Sequence, residues 1–175
     1  MYNSLKEATA ANHQKAEQTE LVKLIFKKEI KDLEYSQLLA NQIVYYSAIE
    51  RNQHFKFEND LPRVTKIIQD LFELSPAMLL IMPESYQYAD YLETLDERKL
   101  WAHVYVHYLG DMAGGQMLKR CVPGSGTRFD FVDPAGLISQ IRMNVSIADA
   151  TEANCAFEWT IRIYNELYRR IREIS

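Results

Sequence analysis

The residues best suited to chemistry lie in His103 to Lys119, HVYVHYLGDMAGGQMLK, where Asp111 sits among Gly110, Gly114 and Gly115 in a segment that otherwise reads as one long helix. Glycine in a helix interior costs about 1 kcal/mol relative to alanine, so three of them call for a reason. Gly110 and Gly114 are four apart and share a helix face. A face without side chains lets something large and flat press against the backbone, and Asp111 adds one acidic group able to order water there. His13 is a second candidate. Its neighbours three residues away are Ala10 and Ala16, which keep the surface beside the imidazole low, and Glu17 lies one turn on along the same face. An imidazole so placed can ligate a metal, with the carboxylate bonded to its second ring nitrogen to fix the tautomer. Taken by itself, a histidine between alanines is more often a surface or packing residue.

His107 precedes Asp111 by one turn and brings toward it a group that titrates near neutrality, or one that merely hydrogen-bonds it. His54 ends a charged stretch, and His103 starts the glycine-containing helix facing away from the glycines. Glu50 and His54 hint at a carboxylate and histidine metal site. A di-iron bundle, however, draws Glu-x-x-His pairs from two helices, whereas the spacing here is Glu-x-x-x-His with no second copy. Met112, Met117 and Met143 read as core.

Helical periodicity dominates the chain and strand alternation is nearly absent. The fold class expected is therefore all-α, a compact single-domain bundle of about eight helices over residues 1–175. Ser4-x-x-Glu7 is a capping-box pattern that opens a first helix to about Gln18, and Thr19 is placed to cap a second. Asp32 precedes a long core helix on which Leu38, Leu39, Ile43, Tyr46 and Ile49 or Glu50 follow helical spacing. Pro62 suits the first turn of a helix to Leu74, and Ser85 and Asp96 are caps for the next two. Residues 121–133, CVPGSGTRFDFVD, form the clearest loop. Asp133-Pro134 launches a helix to about Asn144, and a last helix from Asp149 or Thr151 buries Ala156, Trp159, Ile163 and Tyr164 or Leu167.

The chain has 175 residues, 47% of them hydrophobic, which is ample for a core. Lys and Arg number 20 against 24 Asp and Glu, a net charge of −4 that argues against general nucleic-acid binding while leaving a local basic patch possible. Cys121 and Cys155 have no metal-ligand spacing and suggest reduced thiols without zinc. No signal-peptide pattern and no long apolar run occur, so a soluble, cytoplasmic protein is expected. No GxGxxG fingerprint for a flavin or nicotinamide is present.

The first segment, LKEATAANHQKAE, resembles the first helix of haem oxygenases, which carry LKEAT, a short spacer, then the iron-binding histidine and an Ala-Glu pair. YVHYLGDMAGGQMLK is similar at nearly every position to the YxRYLGDxSGGQxLK signature of the same family. YYSAIERN and AFEWTIRIYNEL also resemble family segments, so the similarity covers most of the chain. The regions between Arg51 and Trp101 and around 121–133 look shorter than in the better-known members.

The resemblance implies an enzyme that cleaves haem to biliverdin, CO and Fe2+, using O2 and electrons from an external donor, with haem as both cofactor and substrate. By matched position it implies His13 as iron ligand with Glu17 beside it. It puts Gly110 and Gly114, with Gly115 next to them, over the distal haem face. Asp111 would organise distal water, supplying protons without setting a strong acid against the activated oxygen. Lys6 and Tyr105 match positions that hold the haem propionates. Tyr46, Phe157, Thr160 and Tyr164 match pocket-lining positions, with plain core packing the simpler reading of the aromatics. Thr160 replaces an Asn of the distal polar network.

Three departures stand out. His107 replaces the signature Arg, Ala113 replaces a Ser, and Gly136 and Gln140 occupy positions where relatives grip the propionates with Lys and Arg. Arg142, or Arg128 from the loop, is available to compensate. Attack at the α-meso carbon is the family default. The expected electron donor is a small ferredoxin, docking on a basic surface to which Lys6, Lys119 and Arg120 contribute. One alternative is a protein that sequesters or senses haem without turnover, with His107 marking loss of the distal machinery. Another keeps the bundle, discards haem and uses a cysteine nucleophile, for which neither Cys121 nor Cys155 has the setting.

Overall fold

A computed structural model describes residues 3–57 and 60–174, so both ends of the expected 1–175 domain lie outside the described residues. Ser4 Oγ accepts from the Glu7 N–H at 3.2 Å and opens α1 (Leu5–Glu17), the helix that carries His13. The Glu7 carboxylate reaches past Ser4 to accept from the Asn3 N–H at 2.7 Å. α2 (Glu20–Phe26) follows at once. Thr19 stands before it, but its hydroxyl donates back to the Ala16 carbonyl at 2.8 Å and does not cap.

α3 (Asp32–Arg51) is the central helix and buries Leu38, Leu39, Tyr45, Tyr46 and Ile49. Buried amides on it fix its neighbours. Asn41 Nδ2 donates to the Leu80 carbonyl at 2.8 Å, and Asn41 Oδ1 accepts from the Met82 N–H at 2.8 Å and the Ser85 hydroxyl at 2.7 Å. Ser85 is thus committed to α3 and is not a cap. α5 (Pro83–Glu93) starts two residues earlier, with Pro83 in its first turn, where a missing N–H costs nothing. α4 (Val64–Leu74) likewise begins after Pro62, because the Glu50 side chain of α3 accepts from the Val64 N–H at 3.2 Å and supplies the cap from a distance.

Asp96 does cap α6 (Glu97–Ala113), accepting from the Lys99 N–H at 2.9 Å. The segment expected to be one long helix breaks at Gly114, and α7 (Gly115–Lys119) continues as a short separate turn. After the 121–133 loop, Asp133 Oδ1 accepts from the Gly136 N–H at 3.0 Å and Pro134 leads α8 (Pro134–Met143). Ser146 then caps a short 3-10 turn at Ile147–Asp149 that feeds α9 (Ala150–Ile174). α9 buries Ala156, Ile163 and Leu167, as its spacing predicts, with Trp159 and Tyr164 half-buried. Nine α-helices and no strand occur among the described residues, so the all-α expectation holds. α3 packs on α4 and α5, while α9 lies against α1 and α6.

The 121–133 loop is anchored firmly. Asp70 on α4, itself buried, accepts from the Thr127 N–H at 2.8 Å, the Thr127 hydroxyl at 2.5 Å and the Arg128 N–H at 2.9 Å. Arg63, fully buried, donates to the carbonyls of Arg128 at 3.1 Å and Asp130 at 2.7 Å, and its guanidinium lies 3.8 Å from the centre of the Phe131 ring. Asp70→Ala strands these donors, so it is expected to lower stability by about 1–3 kcal/mol. Urea unfolding of the protein without ligand checks this.

Candidate active site

A cavity of about 880 Å³ opens among α1, α3, α6, α7 and α9, toward the upper end of the usual range for small-molecule sites. His13 lines it from α1, with its side chain 58% exposed and its ring edge-on to Phe157 at 5.7 Å. Glu17 does not bond that ring here. Its carboxylate lies 3.6 Å from Nε2, beyond hydrogen-bond range, and both side chains are half-exposed, so nothing locks the pair.

From α6 the cavity meets backbone. A Cβ placed on Gly110 would have nothing within 4 Å, and on Gly114 it would touch the Gly110 carbonyl at 3.5 Å. Both glycines line the cavity. Gly115 does not. Its missing side chain makes room for Phe129, which lies 3.2 Å from where a Cβ would be, so this glycine serves loop docking and its expected place against the ligand is corrected.

Asp111, buried beside Gly110, is held from two sides. Arg128 Nη2 donates to both of its carboxylate oxygens at 3.0 Å, and the Tyr46 hydroxyl donates to Oδ2 at 2.7 Å. Arg128 also donates to Gln42 Oε1 and to the Tyr46 oxygen, the latter at 3.2 Å, while Gln42 Nε2 donates to the Tyr164 oxygen at 2.8 Å. Arg128 Nε is buried with no hydrogen-bond partner among the described residues. Burial is the largest single influence and opposes the Arg128 charge, but the Asp111 carboxylate together with the Tyr46 and Tyr35 phenols drives the pKa upward. The guanidinium therefore stays charged inside the protein. Its expected place among groups compensating at the propionates is corrected, because it is spent on Asp111.

His107 is corrected as well. It lines the cavity and shares a helix face with Asp111, yet its Nε2 is turned to the Tyr88 hydroxyl at 2.8 Å. Burial, with His103 and Arg128 nearby, pushes its pKa down to about 3, so it is neutral where titration was expected. His103 is equally buried and far from incidental. Its Nδ1 is 2.6 Å from the same Tyr88 hydroxyl, and its Nε2 is 2.9 Å from Glu152 Oε1. Burial lowers the His103 pKa, and the His103 hydrogen bond lowers that of Glu152. Spacing gave no sign of this chain, since its members come from α5, α6 and α9.

Lys6, Tyr105 and Arg142 all line the cavity, the two cations exposed and Tyr105 half-buried. Tyr46, Phe157, Thr160 and Tyr164 line it too, but the Thr160 hydroxyl donates to the Ala156 carbonyl of its own helix at 2.9 Å. Lys119 is paired with Asp130 at 2.6 Å. Met112 is core, whereas Met117 and Met143 are exposed, at 56% and 77%. The thiol of Cys155 has its pKa raised by burial, which disfavours a nucleophilic thiolate. No cluster of three or more metal-ligating His, Cys, Asp or Glu side chains occurs among the described residues. Glu50 caps α4 and accepts from Tyr108 at 3.0 Å.

A family model described as Heme oxygenase matches residues 1–158. The chain belongs to the haem oxygenase family. It is similar to Heme oxygenase of Porphyra purpurea, 28% identical over 98% of this chain and 88% of that one. It is also similar to Heme oxygenase 2 of Mus musculus, 30% identical over 93% of this chain and 64% of the mouse protein. The fold superposes on a crystal structure of heme oxygenase-1 from the cyanobacterium Synechocystis in complex with heme. The TM-score is 0.80 and the identity 25%, covering 97% of this chain and 95% of that one. The all-α bundle of that structure is thus preserved in this chain.

Two outcomes follow from the site as built. Gly110→Ala puts a methyl group into open cavity, so the protein without haem should be as stable or about 0.5–1 kcal/mol more stable. Its haem affinity, read from the Soret band, should fall about tenfold. The second concerns pH. Between about 3 and 6.5 the unfolded chain protonates His107 and the folded protein does not, so stability falls as pH falls through that window. The urea midpoint should drop from about pH 7 to about pH 5, and His107→Gln should flatten that slope.

Proposed function

We propose that this protein opens the haem ring to biliverdin, CO and Fe2+, using O2 and electrons from an external donor, with His13 holding the iron and Asp111 ordering distal water. Membership of the haem oxygenase family makes the overall reaction the oxidative cleavage of haem. The observation that carries the residue assignment is the cavity lined both by an accessible imidazole and by bare helix backbone with a buried carboxylate beside it. The fit to haem is good. The volume is suitable, Gly110 presents open space to a flat ring, and Lys6 and Arg142 put exposed cations at the cavity where the ring's carboxylates need partners. Bound haem supplies an iron that binds O2 and a ring that is itself oxidised, which is why it counts as both cofactor and substrate.

The protein's share of the work is placement and proton supply. His13 would hold the iron, and Lys6, Arg142 and Tyr105 would hold the ring's carboxylates. Gly110 and Gly114 let the α6 backbone crowd the distal side, so approach is steered by helix and not by mobile side chains. The carboxylate of Asp111 already accepts from Arg128 and Tyr46, which leaves lone-pair capacity on Oδ1 for water at the cavity wall. Water held on Asp111 would relay protons across the cavity, without a strong acid set directly at its wall. Thr160 can accept from such water, while its own hydroxyl donates a hydrogen bond to the Ala156 carbonyl. Phe157, Tyr46 and Tyr164 wall the site.

Electrons come from a small ferredoxin, docking on the exposed basic side chains near the cavity. Lys6 and Arg120 remain candidates for that surface, whereas Lys119 is neutralised by Asp130. No helix among the described residues is long and apolar enough to cross a membrane. The cytoplasm, where Cys121 and Cys155 stay reduced, is the compartment that fits. Family membership favours turnover over simple haem sequestration, and a neutral His107 bonded to Tyr88 is no mark of a dismantled site.

The test is single turnover with haem, O2 and either ascorbate or reduced ferredoxin. The Soret band should decay as biliverdin absorption appears, and His13→Ala should abolish the low-spin or high-spin Soret shift and the product together. Stable ferrous haem in the unaltered protein, or an unchanged Soret shift in His13→Ala, would overturn the assignment.

A further inference from the structure

We propose that Arg128, on the 121–133 loop, is the positioning residue for Asp111, supplying from outside α6 the cation that this distal carboxylate requires. The inference rests on the reading of Asp111 given above and deepens it. A buried carboxylate needs a counter-charge or a set of donors to stay ionised. The helix itself offers none, because position 107, one turn before Asp111, holds a neutral imidazole committed to Tyr88. Among the described residues the ion-pair partner of Asp111 is Arg128, with both carboxylate oxygens 3.0 Å from Nη2 and side-chain exposures of 2% and 10%.

The contact is built, not incidental. The Arg128 side chain is fastened by Gln42 and Tyr46 on α3, and its backbone is fastened by Asp70 and Arg63. Phe129, the next residue, fills the space left by Gly115. With Nη2 set on one side and the Tyr46 hydroxyl on the other, the carboxylate plane has little freedom to turn. Arg128 thereby decides which lone pair of Asp111 faces the cavity. A lysine at this position would keep the charge but lose the fork that also holds Gln42 and Tyr46.

The experiment compares Arg128→Met, Arg128→Lys, Asp111→Asn and the double variant Arg128→Lys with Asp111→Asn. Haem affinity is read from Soret titration, and biliverdin formation from single turnover. In Arg128→Met, haem affinity should stay within threefold of the unaltered protein while biliverdin formation slows at least tenfold, with Arg128→Lys intermediate. In the Asp111→Asn background, Arg128→Lys should add less than a twofold further loss, because its effect passes through Asp111. Wild-type turnover in Arg128→Met, turnover lost only in proportion to lost haem, or a full additional loss in the double variant would each overturn the proposal. Should Arg128→Met not fold, Arg128→Lys decides: unchanged turnover overturns, and at least a threefold slowing with intact haem affinity supports. Failure of the unaltered protein to make biliverdin would instead overturn the underlying reading, whatever the variants do.

Discussion

A carboxylate and a guanidinium share a buried space beside the cavity, and the surrounding architecture is arranged to keep them together. Asp111 and Arg128 each lose most of their hydration on folding, which is tolerable only because each meets the other and because Tyr46 and Gln42 satisfy much of what remains. Removing one partner of such a pair typically costs about 3–5 kcal/mol, because the survivor is left charged and dry. The pair therefore adds a buried tie between α6, which carries the carboxylate, α3, which supplies the tyrosine and glutamine, and the proline- and glycine-containing loop that Asp70 and Arg63 also anchor. α4 enters the same arrangement through Asp70, and Arg63 just before that helix joins it, neither of them lining the cavity.

The cavity divides its tasks between rigid and accessible parts. Its distal side is preorganised by hydrogen bonds and close packing, whereas His13 and Glu17 on α1 remain half-exposed and out of bonding range of each other. Ligand arrival would thus find the carboxylate already set and the imidazole still adjustable. Gly110 and Gly115 show how similar residues serve different ends. One leaves space for a ligand, and the other leaves space for Phe129 and so, indirectly, for the arginine next to it.

What could be read along the chain was whatever depends on helical spacing. The all-α architecture, the shared face of Gly110 and Gly114, Asp111 between them and His13 among alanines all rest on residues three or four apart. The helix starts at Ser4, Asp96 and Asp133 were legible because their caps are local. Those at Val64 and Pro83 were not, since Glu50 reaches α4 from another helix and Asn41 claims Ser85. The same limit hid the role of Arg128. It lies seventeen residues beyond Asp111, across a helix break and a loop, and only the docking of that loop on α4 brings the two together. His103 and His107 were misjudged for a related reason: a helical wheel shows which face a histidine occupies but not that Tyr88, from a different helix, waits on it.

The row of contacts from Glu152 through His103 and Tyr88 to His107 has a direction. A carboxylate can only accept, so His103 must present its Nε2 proton to Glu152 and offer a bare Nδ1 to Tyr88. The phenol then points its hydrogen at His103, and its oxygen takes the Nε2 proton of His107, which leaves Nδ1 of that ring without a proton. One acidic side chain at the edge of the bundle consequently selects the tautomer of an imidazole three links away at the cavity.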